Sequence, residues 1–258
     1  MKALVGQVRV EITLFLRDKT VLFFSLFFPL VTVAFFGYLN REGQVPVASA
    51  VEGGNLGGGV VSYPSFVIAG GIGMVVASAA FENLSAALAR QRDTGILKRL
   101  GGTPLRVWTL VGAKILTAAA ITLAQTALMV VVNVFLFEAE IGGSVFWGLV
   151  LLVVGILTFT AMGIALAGLC PNADVAAAAG MAIALPMQFL CGTFFPIDQM
   201  PSLLRYIAQA LPLTYFVEAL RGAMLTGGGP GVYARDWAIL LGCLVVACVV
   251  AVKTFRWE

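Results

Sequence analysis

The chain has 258 residues, 60% of them hydrophobic and 11% charged, with a formal net charge of +3. A mean hydropathy of +0.99 excludes an ordinary soluble domain, and so small a positive excess gives no reason to expect nucleic-acid binding. There is no histidine, which removes imidazole acid–base catalysis, the commonest metal ligand and the Ser-His-Asp arrangement together.

In residues 3–17, Leu4, Val5, Val8, Ile12, Phe15 and Leu16 group on one helical face, while Gln7, Arg9, Glu11, Thr13 and Arg17 take most of the rest. This pattern predicts an amphipathic helix lying in the membrane interface. The alternative is an early extension of the first span.

Because about 20 residues at ~1.5 Å rise cross the ~30 Å hydrocarbon core, the apolar runs predict six spans: Thr20–Leu39, Pro64–Leu88, Val107–Phe135, Val145–Leu169, Val175–Cys191 and Trp237–Val252. Ala48-Ser49-Ala50 resembles a signal-peptide cleavage site, but the run before it exceeds the ~7–15 residues of such a segment. It reads as a retained span. Pro29 and Pro186 fall inside spans, where kinks are expected. Asn40–Tyr63, with its GGNLGGG run, lacks the Lys-Ser/Thr of a phosphate cradle and reads as a flexible loop.

Between the second and third spans lies RQRDTGILKRLGGTPLR, Arg90 to Arg106, with five basic residues and one acidic. With the N-terminus inside, the inner side holds eleven basic residues and the outer side four, Arg41, Arg205, Arg221 and Arg235, as the positive-inside rule requires. Gly192–Arg235 contains two helical stretches of 12–13 residues broken at Pro212. Neither is long enough to cross alone. Joining them as a span would bury Arg205, Glu218 and Arg221 at about 2.5–3.5 kcal/mol each, so two half-helices dipping into the outer leaflet are expected. Glu218 and Arg221, three apart, can pair locally.

Glu82 lies eight residues before Arg90, and Lys114 eight after Arg106. In antiparallel spans both sit about 12 Å in from the loop, which predicts an ion pair between the second and third spans; the alternative is that each snorkels separately. Small residues recur every fourth position at Ala69, Gly73 and Ala77, and at Ala176, Gly180 and Ala184. Such stripes let helices approach closely, either at the centre of a dimer or within one subunit. Gln125, Asn133 and Gln188 face substrate or bond to a neighbouring helix. Cys170, Cys191, Cys243 and Cys248 all lie in or beside apolar runs and read as small buried hydrophobes.

Two stretches carry a family resemblance. Residues 93–105, DTGILKRLGGTPL, resemble the GTLKRLRGTPL signature between the second and third spans of type-2 ABC exporter permeases. Residues 194–225, FFPIDQMPSLLRYIAQALPLTYFVEALRGAML, are similar to the segment preceding that family's last span. The likeness is closest to permeases of the daunorubicin-resistance type. The chain departs from the pattern at Ile96, where Thr is usual, and at Gly101-Gly102, where a basic residue is common.

The resemblance implies a permease working with separate cytoplasmic ABC ATPase subunits and a second permease copy, in the lipid of the cell membrane with both termini cytoplasmic. No cofactor is expected on this chain, and ATP and Mg would belong to the partner. Consistently, there is no G-x-x-x-x-G-K-[S/T] motif. The inner hairpin would then receive the ATPase's push. Ile96, Leu97 and Leu100 would fill a hydrophobic socket, Lys98 and Arg99 would meet acidic groups at its rim, and Thr103-Pro104 would end the short helix. The outer hairpin, with Phe195, Pro196, Pro212, Tyr215, Glu218 and Arg221, would gate the external mouth.

The expectation is therefore an all-α polytopic membrane protein forming one domain over 1–258. It comprises an interfacial helix (1–19), spans one to five (20–191), an outer re-entrant hairpin (192–235) and the last span with a cytoplasmic tail (236–258). It would export a hydrophobic or amphipathic substrate by alternating access. The rival is a secondary transporter or channel driven by an ion gradient, which calls for mid-span ionisable groups and paired broken helices. A membrane-embedded enzyme would need clustered catalytic groups at one depth, and none is present.

Overall fold

A computed structural model describes residues 2–46, 60–101, 107–139 and 142–254. Among these residues all six predicted spans are helices. They are α2 (Lys19–Leu39), α3 (Tyr63–Asp93), α5 (Val107–Phe137), α6 (Val145–Leu169), α7 (Ala173–Leu190) and α10 (Ala234–Thr254). Before them runs α1 (Lys2–Arg17); α4 (Ile96–Gly101) follows α3, and α8 (Ser202–Ala210) and α9 (Pro212–Thr226) precede the last span.

Local chemistry sets the ends. The Asp18 carboxylate accepts the Val21 N–H and caps α2, while Ser144 caps α6 and Asn172 caps α7 in the same way. Pro212 starts α9, where a missing N–H costs nothing. Gly227, at φ +73°, ends it in the left-handed conformation open to glycine.

Two spans contain a wide π-helical turn, Phe23–Phe27 in α2 and Ala77–Glu82 in α3. The first lies just before Pro29, whose ring and missing N–H disfavour regular bonding to the preceding turn. The helix α7 continues unbroken through Pro186. The supposed flexible loop after α2 is partly ordered, since β1 (Gln44–Pro46) pairs antiparallel with β2 (Val60–Ser62), Val45 opposite Val61.

The apolar length of α3 is wholly buried, so this helix is the axis of the bundle. Its middle packs with α6, α9 and α10 around Ile72, Phe159, Phe216 and Leu240. Glycines permit the approach. A Cβ on Gly70 would come within 2.5 Å of the Thr193 backbone, one on Gly73 within 2.5 Å of Val217, and one on Gly163 within 2.9 Å of the Phe81 carbonyl. Both small-residue stripes are thereby consumed inside the subunit. Ala69, Gly73 and Ala77 are buried in α3, Gly73 beneath Leu213 and Val217 of α9, and Ala176, Gly180 and Ala184 are buried in α7, with Gly180 against Glu82 and Ser85 of α3. Of the cysteines, Cys170 and Cys191 are buried, but Cys243 is half-buried and Cys248 exposed on α10, where an apolar helix face meets lipid.

The ends of the spans separate into two faces. On one, α1 lies along the start of α5, the end of α3 meets the α6–α7 turn, and Thr254 packs on Gly168. On the other, Gly143 and Ser144 donate backbone bonds to the Met224 and Ala223 carbonyls, and the Tyr63 hydroxyl donates to the Phe194 carbonyl. The α8–α9 hairpin therefore enters from the face opposite α1, and Leu213 and Val217 of α9 reach Gly73 in the middle of α3.

Candidate coupling site and the two ends of α3

The N-terminal helix α1 turns Leu4, Gln7, Val8, Glu11, Ile12 and Phe15 inward and leaves Val5, Val10, Leu14 and Leu16 exposed. This rotates the predicted amphipathic face. Gln7 and Glu11, assigned to the polar side, lie inward because each finds a polar partner there.

Glu11 is the centre of a buried knot. Its Oε1 accepts from Lys114 Nζ on α5 at 2.6 Å, from Gln91 Nε2 on α3 at 3.1 Å and from Gln7 Nε2 at 3.4 Å. Charged and neutral donors converge on one oxygen, joining three helices that are far apart in sequence. The predicted Glu82–Lys114 pair does not form. Glu82 closes the wide turn of α3, which shifts the helical register by one residue, about 100° of rotation. It faces Gly180 on α7, so equal depth did not bring it to the α5 side.

Just beyond Gln91, Arg92 donates to the carbonyls of Ala167 and Cys170 at 2.9 and 2.8 Å, covering the end of α6. Asp93 Oδ2 accepts the Ala173 N–H at 2.6 Å at the start of α7. A cation meets free carbonyls and an anion meets a free N–H, as helix termini favour. Sequence reasoning treated both residues only as loop charges. Gly95, at φ +70°, then lets the chain leave α3, and the Gly95 N–H bonds back to the Arg92 carbonyl.

The short α4 that follows divides the predicted coupling residues. Leu97 is only 1% exposed and packs with Leu84, Leu88, Leu110 and Ile164. It anchors α4 to its own subunit and does not reach a partner's socket, a correction to the expectation above. Ile96 is 44% exposed, and Lys98 and Arg99 are also exposed. The Leu100 side chain, Thr103 and Pro104 lie outside the described residues.

At the other end of α3, Arg221 from α9 is buried. Its Nη2 donates to the Gly192 carbonyl at 2.6 Å, its Nε to the Phe66 carbonyl at 3.4 Å, and its guanidinium lies 3.8 Å from the Phe66 ring centre. The expected local ion pair with Glu218 is absent among the described residues, because Arg221 directs its donors to these carbonyls. Tyr215 donates to the Gln209 carbonyl at 2.5 Å and Thr214 to Ala208 at 2.6 Å, folding α8 onto α9 around Pro212. Phe195 is exposed and Pro196 half-buried, while Phe194 beside them is buried. Within the spans, Gln125 donates to Ser25 Oγ on α2 at 2.8 Å and Asn133 to the Met129 carbonyl at 2.9 Å. Gln188 is buried, its carbonyl accepting from Thr193. Of the three, only Gln125 bonds to a neighbouring helix; Asn133 bonds within its own.

Six apolar helices, one of them a buried axis among the other five, with polar clamps at both ends of that axis, define a multi-pass helical membrane protein. Residues 7–225 match the model of the ABC-2 type transporter family. Nodulation protein J of Neorhizobium galegae is 30% identical over 190 residues, 73% of this chain and 71% of that protein. Its counterpart in Bradyrhizobium diazoefficiens is 31% identical over 196 residues, 75% and 71% of the two chains. A probable multidrug ABC transporter permease of Escherichia coli K12, YbhR, is 22% identical over 158 residues, 61% of this chain and 43% of that one. The chain belongs to the ABC-2 type transporter family and is the permease subunit of an ABC transporter.

Proposed function

We propose that this permease exports a hydrophobic or amphipathic substrate, powered by ATP and Mg bound on separate cytoplasmic ATPase subunits, and that it works as a pair of permeases. Both termini and α4 face the cytoplasm in this reading, supported by the eleven-to-four distribution of basic residues. The names of the relatives, a nodulation protein and a probable multidrug permease, are compatible with export of amphipathic molecules.

The observation that carries the reading is the junction at the inner end of α3. Ile96, Lys98 and Arg99 are turned outward on α4, which is anchored through Leu97 and directly follows the residues that clamp α1, α5, α6 and α7. A push on α4 would be delivered to five helices at once. From Gln91 to Phe66 the axis covers 25 residues, about 37 Å at 1.5 Å per residue, and its far end is held to the α8–α9 hairpin by Arg221. Displacement of α3 would thus move the hairpin, which acts as the outer gate. This is alternating access driven from outside the chain.

The test is co-expression of the permease with its ATPase, followed by co-purification and vesicle assays. Replacing Ile96, Lys98 and Arg99 together should release the ATPase while the permease remains folded. A triple variant that keeps full association and ATP-dependent transport removes the coupling role. Transport by the permease alone on a proton or sodium gradient would replace the whole reading with a secondary transporter.

A further inference from the structure

Beside the Glu11 knot the bundle leaves a cavity of about 800 Å³ between α1–α2 on one side and α3 and α5 on the other. On α3 its wall runs from Ala79 to Gln91, about 18 Å at 1.5 Å per residue. That is close to one leaflet, half of a ~30 Å hydrocarbon core. The slot is polarised along this length. Ala79, Ala118 and Ile121 line its deep part, and Arg17, Lys19 and Arg90 stand at its mouth.

The two carboxylates along it are already engaged, Asp18 on the α2 cap and Glu11 on Lys114. By contrast, Arg17, Lys19 and Arg90 make no ion pair with any described residue. Inside, the Thr117 hydroxyl belongs to a residue 7% exposed and lacks a hydrogen-bond partner, as does Gln91 Oε1. Buried polar atoms of this kind normally have a partner, and both residues line the cavity.

We infer that the cavity is a binding site for one anionic membrane phospholipid, with its phosphate among Arg17, Lys19 and Arg90 and an acyl chain along α3. A neutral or zwitterionic lipid would fill the slot but leave three cations uncompensated. A soluble anion would pair with the cations but leave the apolar depth empty. Only an anionic head joined to a long apolar tail satisfies both ends, and basic pockets between membrane helices suit such head groups. The lipid is a strut between α1–α2 and α3, adjacent to the knot, and Ile96 at the start of α4 lines the same cavity.

The test uses the full chain purified in a neutral sugar detergent, with lipid binding followed by native mass spectrometry and by the thermal unfolding midpoint. Phosphatidylglycerol should bind and raise the midpoint, binding about tenfold or more tighter than phosphatidylcholine because three cations face its charged head group. Glycerol 3-phosphate should do neither. Arg17→Gln, Lys19→Gln and Arg90→Gln combined should erase the preference. Ala87→Phe, which narrows the slot and keeps all three cations in the chain, should weaken phosphatidylglycerol binding. Equal binding of both lipids, a preference that survives the triple change, or a full midpoint shift with glycerol 3-phosphate alone would each overturn the assignment. If the triple variant does not fold, unchanged lipid binding by Ala87→Phe overturns it. None of these readouts needs the ATPase, so they stand or fall apart from the export reading.

Discussion

Lys114 Nζ and Glu11 Oε1 meet at 2.6 Å although 103 residues separate them, and both side chains are buried. Removing one member of such a pair strands the other charge away from water, at about 3–5 kcal/mol, whereas replacing both by apolar groups is often nearly neutral. Lys114→Met should therefore lower the thermal midpoint sharply, and Glu11→Leu should do the same. The double variant Glu11→Leu with Lys114→Met should recover most of the loss. Purified variants compared by thermal unfolding in detergent check this, and full additivity of the two single effects would argue that the residues do not interact.

At the far end of α3, Arg221 holds two carbonyls and a ring face. Hydrogen bonds made by a charged group contribute about 1.5–3 kcal/mol each, and a lysine cannot reproduce the planar fork that reaches both. Arg221→Lys should destabilise less than Arg221→Met, but it should still loosen the Gly192 turn. Buried Cys191 reports on this directly. In a background with the other cysteines replaced, its labelling by a membrane-permeant maleimide should accelerate in both variants. Unchanged labelling would mean that the turn is held by other contacts.

The spans were legible because their signals are local. Val145–Leu169 is bounded by a capping serine and by Cys170-Pro171, and its apolar run is long enough to need no tertiary information. Pro212 likewise marks the break between α8 and α9 from local chemistry alone. The polar contacts were not legible, because each depends on an angle that composition does not encode. Glu11 reads as outward because it stands among charged residues, yet the donors that draw it inward lie on α3 and α5. Glu82 is turned away from α5 by the wide turn at Ala77–Glu82, for which the sequence shows no breaker residue. The β1–β2 pairing joins residues on either side of a glycine-rich stretch that dominates the local pattern.

Gly95 adopts φ +70° at the step from α3 to α4, with open space around its α-carbon. Because nothing would clash with a methyl group, the cost of Gly95→Ala is confined to the backbone, about 1–2 kcal/mol for a left-handed L-residue. The variant should fold and bind lipid, with only a modest fall in midpoint. A larger effect is expected on ATPase association, since relief of the strain redirects α4. An association constant equal to that of the unaltered permease would show that the direction of α4 does not govern docking.

Adjacent residues on α4 provide the sharpest separation of anchoring from docking. Leu97 is packed in the cluster with Leu84, Leu88 and Leu110, whereas Ile96 is turned outward. Truncating a buried leucine costs about 2–5 kcal/mol, including the cavity left behind, so Leu97→Ala should lower the thermal midpoint of the isolated permease. Ile96→Ala removes a side chain that already meets solvent or a partner. Surface substitutions of this kind are usually within about 0.5 kcal/mol for folding, so its midpoint should barely move while its affinity for the ATPase falls. Measuring both quantities on both variants gives a crossed pattern if Leu97 anchors and Ile96 docks. If Ile96→Ala left ATPase affinity unchanged, contact would have to rest on the charged neighbours Lys98 and Arg99. Binding would then weaken steeply with added salt, as exposed charges are screened within about 8 Å at physiological ionic strength.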